Sequence, residues 1–449
     1  MSIDIIQRLR QSGTDKIKFA VADIDGVLRG KVISMNKFLK AVQNGIGFCN
    51  VVFGWDMDDA CYTNGDVSGW HTGYPDAFAS IDLHTYRTIP WQNNIPFFLA
   101  DFSHAPEVQA ACARTLLKKV KQACEDAGFK AVFSKEYEWF NFTETPQTLS
   151  DKHYTNPQPL TPGMFGYSLL RTSQNDAFYY DLFNLLKAFN VPLEGLHTET
   201  GNGVYEAAIE YADILEAADR ALLFKTAVKE IAYRHGYMAS FMAKWNHALP
   251  GCSGHIHQHL EDASGHNIFR EESDVDGISE TMRHYIAGQL YCLPFIMPMY
   301  APTVNSYKRF VEGAWAATTV SWGIENRTTA LRVINQVPAA TRLETRVPGA
   351  DTNAYLSMAA SLASGLYGIK HKLALELAPV KGSAYDIKAL QRLPAGLQQA
   401  TLIMKNSHIA ADLFGEAFTD HFIRTREWEC QQFEKAVTNW ELKRYFEII

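Results

Sequence analysis

A chain of 449 residues with 47% hydrophobic content is long enough for one large domain with its own core and a smaller companion. Charged residues make up 20% and the formal net charge is −7, which excludes an intrinsically disordered chain and, with no basic run, argues against nucleic acid as a partner. The opening MSIDIIQRLRQSG lacks a cationic stretch followed by an apolar one, Ala350 to Leu375 is interrupted by Asp351, Asn353, Lys370 and His371, and the seven cysteines show no paired spacing. No signal peptide, membrane partner or disulfide framework is therefore expected, and the reading is a reduced cytoplasmic protein.

In chain order, Lys16 to Ser34 predicts a hairpin, KFAVADI and LRGKVIS around an Asp25-Gly26 turn. Residues 48–103 read as irregular, ending in a strand, FFLADF. Pro106 opens a helical pattern to about Gly128, which places a domain boundary near 103–106 and divides the chain into 1–104 and 105–449. Beyond it, strand-like runs alternate with helices: AVFSKEYEWFNF, a helix before Pro192, GVYEAAIEY, a helix from Asp213 to His235, ASFMAKW and GHIHQHL. A helix over Glu280 to Leu293, the run WGIENRTTALRV, RLETRV and a helix after Asn353 complete the pattern. The fold class is α+β with a mostly antiparallel sheet.

Side chains two apart on a strand share a face. Glu136-Tyr-Glu138 therefore aims two carboxylates together, His255-Ile-His257 two imidazoles, and Arg342-Leu-Glu344-Thr-Arg346 two guanidiniums around a carboxylate. A solvated sheet face is the bland reading of any one of them. Two carboxylates at i and i+2 repel unless a cation lies between, and oxygen donors with an occasional imidazole suit Mg²⁺ or Mn²⁺. In Glu194-Gly-Leu-His-Thr-Glu199-Thr-Gly-Asn-Gly-Val-Tyr-Glu206, acidic groups bracket a Gly-Asn-Gly turn that folds the backbone tightly. Arg309, Arg327 and Arg332 lie near apolar strand residues, and arginine suits bidentate contacts to carboxylate and phosphate. Metal ions and arginines together are the pattern of phosphoryl transfer.

Asn-Ser-Tyr-Lys-Arg (305–309), Asn-Arg (326–327), Arg-Leu-Glu-Thr-Arg (342–346), Glu-Tyr-Glu (136–138), His-x-His-Gln (255–258) and Asn-Ala-Tyr-Leu (353–356) resemble, in order and spacing, the motifs of the glutamine synthetase family across nearly the whole chain. The resemblance implies a small β-grasp-like N-terminal domain and a catalytic domain with a curved sheet. It implies two or three Mg²⁺ or Mn²⁺ ions, one held by Glu138, Glu199 and Glu206 and another by Glu136, His255 and Glu344. Arg309 and Arg346, with the backbone at Gly251, would hold the carboxylate of glutamate; Glu194, His257, Arg332 and Arg342 would contact ATP. Arg327, Arg309 and Glu206 would be the catalytic groups. The implied reaction forms γ-glutamyl phosphate and then a γ-glutamyl amide, in a homo-oligomeric double ring where residues 1–104 complete a neighbour's site.

The chain departs from the family's pattern at the amine. Trp315 stands where ammonia-using members carry a flap glutamate, and Phe53-Gly-Trp-Asp-Met-Asp-Asp59 replaces their ammonium latch. An indole offers a flat face to an alkyl chain or organic cation. This is similar to the branch that glutamylates polyamines or alkylamines, with Tyr167 in the amine pocket and Asp56, Asp58 or Asp59 available to a distal ammonium. Use of ammonia is the alternative. Pro250, Val204, Ala339 and His259 are further departures and leave room for a glutamate analogue. A ring scaffold or metabolite sensor of the same fold would not need all six metal ligands.

Overall fold

The computed structural model describes residues 2–449, and its strands form two sheets. The first takes β1 (Lys16–Ala22), β2 (Leu28–Ser34), β3 (Ile46–Cys49), β4 (Asp76–Ile81), β5 (Arg87–Ile89) and β6 (Ile95–Asp101) in the order β2-β1-β6-β4-β3, with β5 on β6. The predicted hairpin is present: β1 and β2 pair from Lys16–Ser34 to Ala22–Leu28, and the Asp23 carboxylate accepts the amides of Asp25 and Val27 at the turn. Strand alternation gives this sheet two buried faces. Phe19 and Val21 join a core of its own, and Ala20 and Ala22 join the core of the second sheet.

Two expectations fail here. Residues 48–103 hold β4 and β5, and β4 has alanines inward and Phe78 outward at 58% exposure, the inverse of the alternation that marks a half-buried strand. The helix after Pro106 is broken into Pro106–Gln109 and Ala113–Asp126, because Ala111 and Cys112 at the break are buried in the core of the first sheet.

The second sheet takes β7 (Lys130–Phe142), β8 (Leu193–Thr198), β9 (Val204–Ile209), β10 (Ala212–Asp213), β11 (Met238–Ser240), β12 (Gly254–Glu261), β13 (Trp322–Ile324), β14 (Leu331–Ile334) and β15 (Arg342–Thr345). Its order is β13-β14-β15-β12-β7-β9-β8, with β10 and β11 on opposite ends of β7; every pair is antiparallel except β13 with β14. The run Trp322 to Val333 is thus two parallel strands, and the connection between them carries Arg327. Tyr137 and Trp139 of β7 pack behind the sheet on Phe224 of the helix Ile214–Arg234. Asn353 caps the helix Ala354–Lys370 and also donates to the carbonyls of Asp23 and Ile24, tying the hairpin turn to the second sheet's layer. No helix among the described residues is long and apolar enough to cross a membrane.

The helices Glu280–Ile296 and Ala354–Lys370 meet at glycine. A Cβ on Gly288 would lie 2.3 Å from the Ser364 carbonyl and 2.5 Å from the Gly368 amide. Gly288→Ala is therefore expected to destabilise by about 1–3 kcal/mol through overpacking, read as a lowered thermal midpoint.

Candidate active site

Register gathers the charged residues. Antiparallel pairing sets His255 opposite Glu136, Glu344 opposite His257, and Arg332 opposite Glu344. On the other side of β7, Glu206 lies opposite Glu138 and His197 opposite Glu206. Tyr137, Ile256 and Leu343, which alternate with these groups, are completely buried on the far face. One polar face is thus a consequence of period two and of a register fixed by the apolar face behind it.

The donor atoms of Glu136, His255 and Glu344 all lie within 4.8 Å of one another. His255 Nδ1 is 3.3 Å from Glu136 and 3.2 Å from Glu344. Burial pushes the Glu344 carboxyl up, but Arg346 at 2.5 Å, His255 at 3.2 Å and the charge of His257 outweigh it and hold the group well below the usual carboxylate range. His257 Nε2 lies 3.5 Å from Glu136, and its Nδ1 accepts from Arg342 Nε at 3.2 Å.

Glu138, Glu199 and Glu206 line the same cavity but are not drawn together so closely. Glu138 accepts the amide of Ser253 at 2.9 Å and its hydroxyl at 2.5 Å; Glu206 lies 3.3 Å from His197 Nε2; one oxygen of Glu199 is buried with no hydrogen-bond partner. Burial pushes the Glu206 carboxyl up to about 7, with Glu136 and Glu138 adding to the rise and His197 opposing it. A bare carboxylate oxygen beside like charges is what a divalent cation relieves, and carboxylates with one imidazole and no thiolate fit Mg²⁺ or Mn²⁺.

The cavity measures about 680 Å³, and Arg327, Arg332, Arg342 and Arg346 line it together with Tyr167 and Trp315. Both aromatics have positive φ, 56° and 58°, a rare conformation for bulky side chains. Tyr167 stacks on the His197 ring at 4.5 Å.

Three residues singled out in the sequence do not line the cavity. Glu194 is exposed because β8 bulges between Leu193 and Gly195, which breaks the alternation that would have turned it inward. Arg309 is buried behind the wall, donating to the Val347 carbonyl, and Gly251 packs on its stem, where a Cβ would come within 2.8 Å of Arg309 Cγ. Sequence reasoning missed His197 and Ser253. Burial pushes the His197 imidazole down, yet the Glu206 hydrogen bond and charge carry it to about 9. Its signal was the i, i+2 spacing to Glu199, just past the end of β8.

The sequence matches the glutamine synthetase catalytic-domain family over residues 110–445. It is 50% identical to a type-1 glutamine synthetase 2 of Dictyostelium discoideum, over 99% of this chain and 86% of that protein. It is 36% identical to a glutamate–isopropylamine ligase of a Pseudomonas species, over 98% and 97%. Among solved structures, an ADP complex of GmaS superposes with a TM-score of 0.85 at 26% identity, covering 99% of this chain and all of that one. A polar sheet face that gathers carboxylates, imidazoles and arginines around one cavity, on this fold and with these relatives, makes the chain a ligase of the glutamine synthetase family.

Proposed function

We propose that the chain joins the γ-carboxylate of glutamate to a primary organic amine, an alkylamine or polyamine, with cleavage of ATP to ADP. The family uses ATP and divalent metals. Glu136, His255 and Glu344 would hold one ion and Glu138, Glu199 and Glu206 another, and such ions supply neutralisation of phosphate charge. A γ-carboxylate oxygen attacks the γ-phosphorus and ADP leaves; the amine nitrogen then attacks the acyl carbon and phosphate leaves. Arg327 neutralises the transferring phosphoryl group, Arg332, Arg342 and His257 orient the nucleotide, and Arg346 holds the glutamate carboxylate. Glu206 accepts the proton the amine releases. Residues 1–104 cover a neighbour's site in a ring of subunits.

The observation that carries the organic-amine reading is the indole of Trp315, 59% exposed on the cavity rim, while the carboxylate nearest it in the flap, Glu312, is drawn to Arg392. Within this chain Asp59 pairs with Arg29 and Asp56 accepts from Trp428, so neither stands ready for ammonium. The Dictyostelium relative favours a second reading, glutamine synthesis from ammonia. An ADP-release assay over ammonia, methylamine, isopropylamine, ethanolamine, putrescine and spermidine separates them. ADP release is expected to need glutamate, Mg²⁺ and amine together, with higher kcat/KM for an organic amine than for ammonia. Trp315→Glu is expected to move that preference toward ammonia by about tenfold or more. Ammonia as the best substrate of the wild type would establish the second reading.

A further inference from the structure

Beside the carboxylate cavity lies a second one of about 520 Å³, and Trp315 and Arg327 line both. Ile324, Pro379 and Val380 give it an apolar wall; Asp276, Glu325 and Lys381 are its other charges. Both carboxylates are consumed by the protein. Asp276 pairs with Arg283 at 3.0 Å, and Glu325 pairs with Arg332 at 2.7 Å while its second oxygen accepts the Asn335 amide. Lys381 and Arg327 have no ion pair among the described residues, so the charge left for a ligand to meet is positive.

We infer that this second cavity seats the substituent of the amine and selects for an uncharged alkyl group over one that carries a second ammonium. The inference rests on the organic-amine reading and narrows it, from alkylamines and polyamines together to alkylamines. A nitrogen reacting beside Arg327 projects its substituent past the Trp315 indole, the one wall the two cavities share apart from Arg327 itself. Hydrocarbon there is removed from water against Ile324, Pro379 and Val380. Within this chain a terminal ammonium would meet the unpaired cation of Lys381 and no carboxylate without a cation of its own, and would lose its own hydration without a partner. Trp315 is held as the partition from both sides: Arg346 donates to its carbonyl, and the Tyr385 hydroxyl donates to the next carbonyl, Ala316, at 3.0 Å.

The test uses n-butylamine and 1,4-diaminobutane, which differ at the far end by one ammonium. In the full-length assembled enzyme, kcat/KM for butylamine is expected to exceed that for the diamine by about tenfold or more, the scale on which a binding pocket discriminates small groups. Lys381→Glu, at an exposed position, supplies the missing carboxylate and is expected to shrink that ratio about tenfold by raising the diamine value. Val380→Phe is expected to lower butylamine turnover about tenfold while methylamine stays within about twofold, because methylamine does not reach the wall. Diamine equal to or better than butylamine in the wild type would overturn the inference, and so would a ratio that Lys381→Glu leaves unmoved. If ammonia alone is used, the organic-amine reading itself has failed. If alkylamines are used but neither variant changes chain-length or charge preference, only the cavity's role has failed.

Discussion

Glu344→Ala is expected to destabilise the fold by about 3–5 kcal/mol, the range found when one partner of a buried ion pair is removed. Glu344 is 1% exposed, and its oxygens serve Arg346, Arg332 and His255 at 2.5, 3.1 and 3.2 Å. Arg332 keeps Glu325 as a partner, but Arg346, itself buried, is left with only the carbonyls of Arg327 and Trp315. Urea denaturation of Glu344→Ala and of Glu344→Ala with Arg346→Met checks this. The double variant is expected to regain stability over the single one, because it no longer buries an unpaired guanidinium. Equal losses would show that the carboxylate stabilises through something other than its arginines. Millimolar Mn²⁺ is expected to raise the wild-type midpoint by binding the native state, and to raise that of Glu344→Ala less.

The charged face was readable from the sequence because strand periodicity is local. Glu136-Tyr-Glu138 and His255-Ile-His257 declare which side chains go together without any knowledge of the neighbouring strand. What the sequence could not supply is the partner across the ladder: nothing near Glu136 says that His255 lies opposite, since that pairing spans more than a hundred residues. The family resemblance filled this gap for the ligand sets, but not for His197, whose place between Glu199 and Glu206 depends on the pairing of β8 with β9. Glu194 was placed by the family resemblance alone, and a bulge between Leu193 and Gly195, visible only in the register, leaves it exposed and off the cavity lining. In the first sheet, β3 and β5 are four and three residues long, and β3 pairs with β4 and β5 with β6, so too little period exists in either to detect. Trp315 and Arg327 stood out in the sequence, but the second cavity they line did not, because its other walls come from separate segments near residues 276, 324 and 380.

Arg114→Met is expected to cost at least about 3–5 kcal/mol at neutral pH, since it leaves three carboxylates without their shared cation. Arg114 is 2% exposed; it grips Asp219 with two hydrogen bonds of 2.9 and 2.8 Å and pairs with Asp101 at 2.7 Å and Asp82 at 2.9 Å. Asp101 and Asp82 belong to the first sheet and its connections, and Asp219 to the helix Ile214–Arg234 behind the second, so the arginine joins the two layers. Burial pushes the Asp101 carboxyl up, but Arg114 and Lys118 bring it down to about 2. That is below the ordinary carboxylate value near ~3.9, so its contribution is complete above about pH 4 and is lost as the pH falls toward 2, on the order of 2–3 kcal/mol in all. Without Arg114 the folded-state value rises: Asp101 keeps Lys118 as its one cation, with the amide and hydroxyl of Ser103, and Asp219 keeps only the Tyr355 hydroxyl. The difference between wild type and variant is therefore expected to be widest at neutral pH and to narrow between about pH 4 and 2, where protonation discharges the stranded carboxyls. Urea midpoints measured from pH 7 down to about pH 2 check this, and a constant difference would assign the loss to packing. Arg114→Lys is expected to recover the midpoint only in part, because an ammonium keeps the charge but cannot serve Asp219 and Asp101 with the same planar fork.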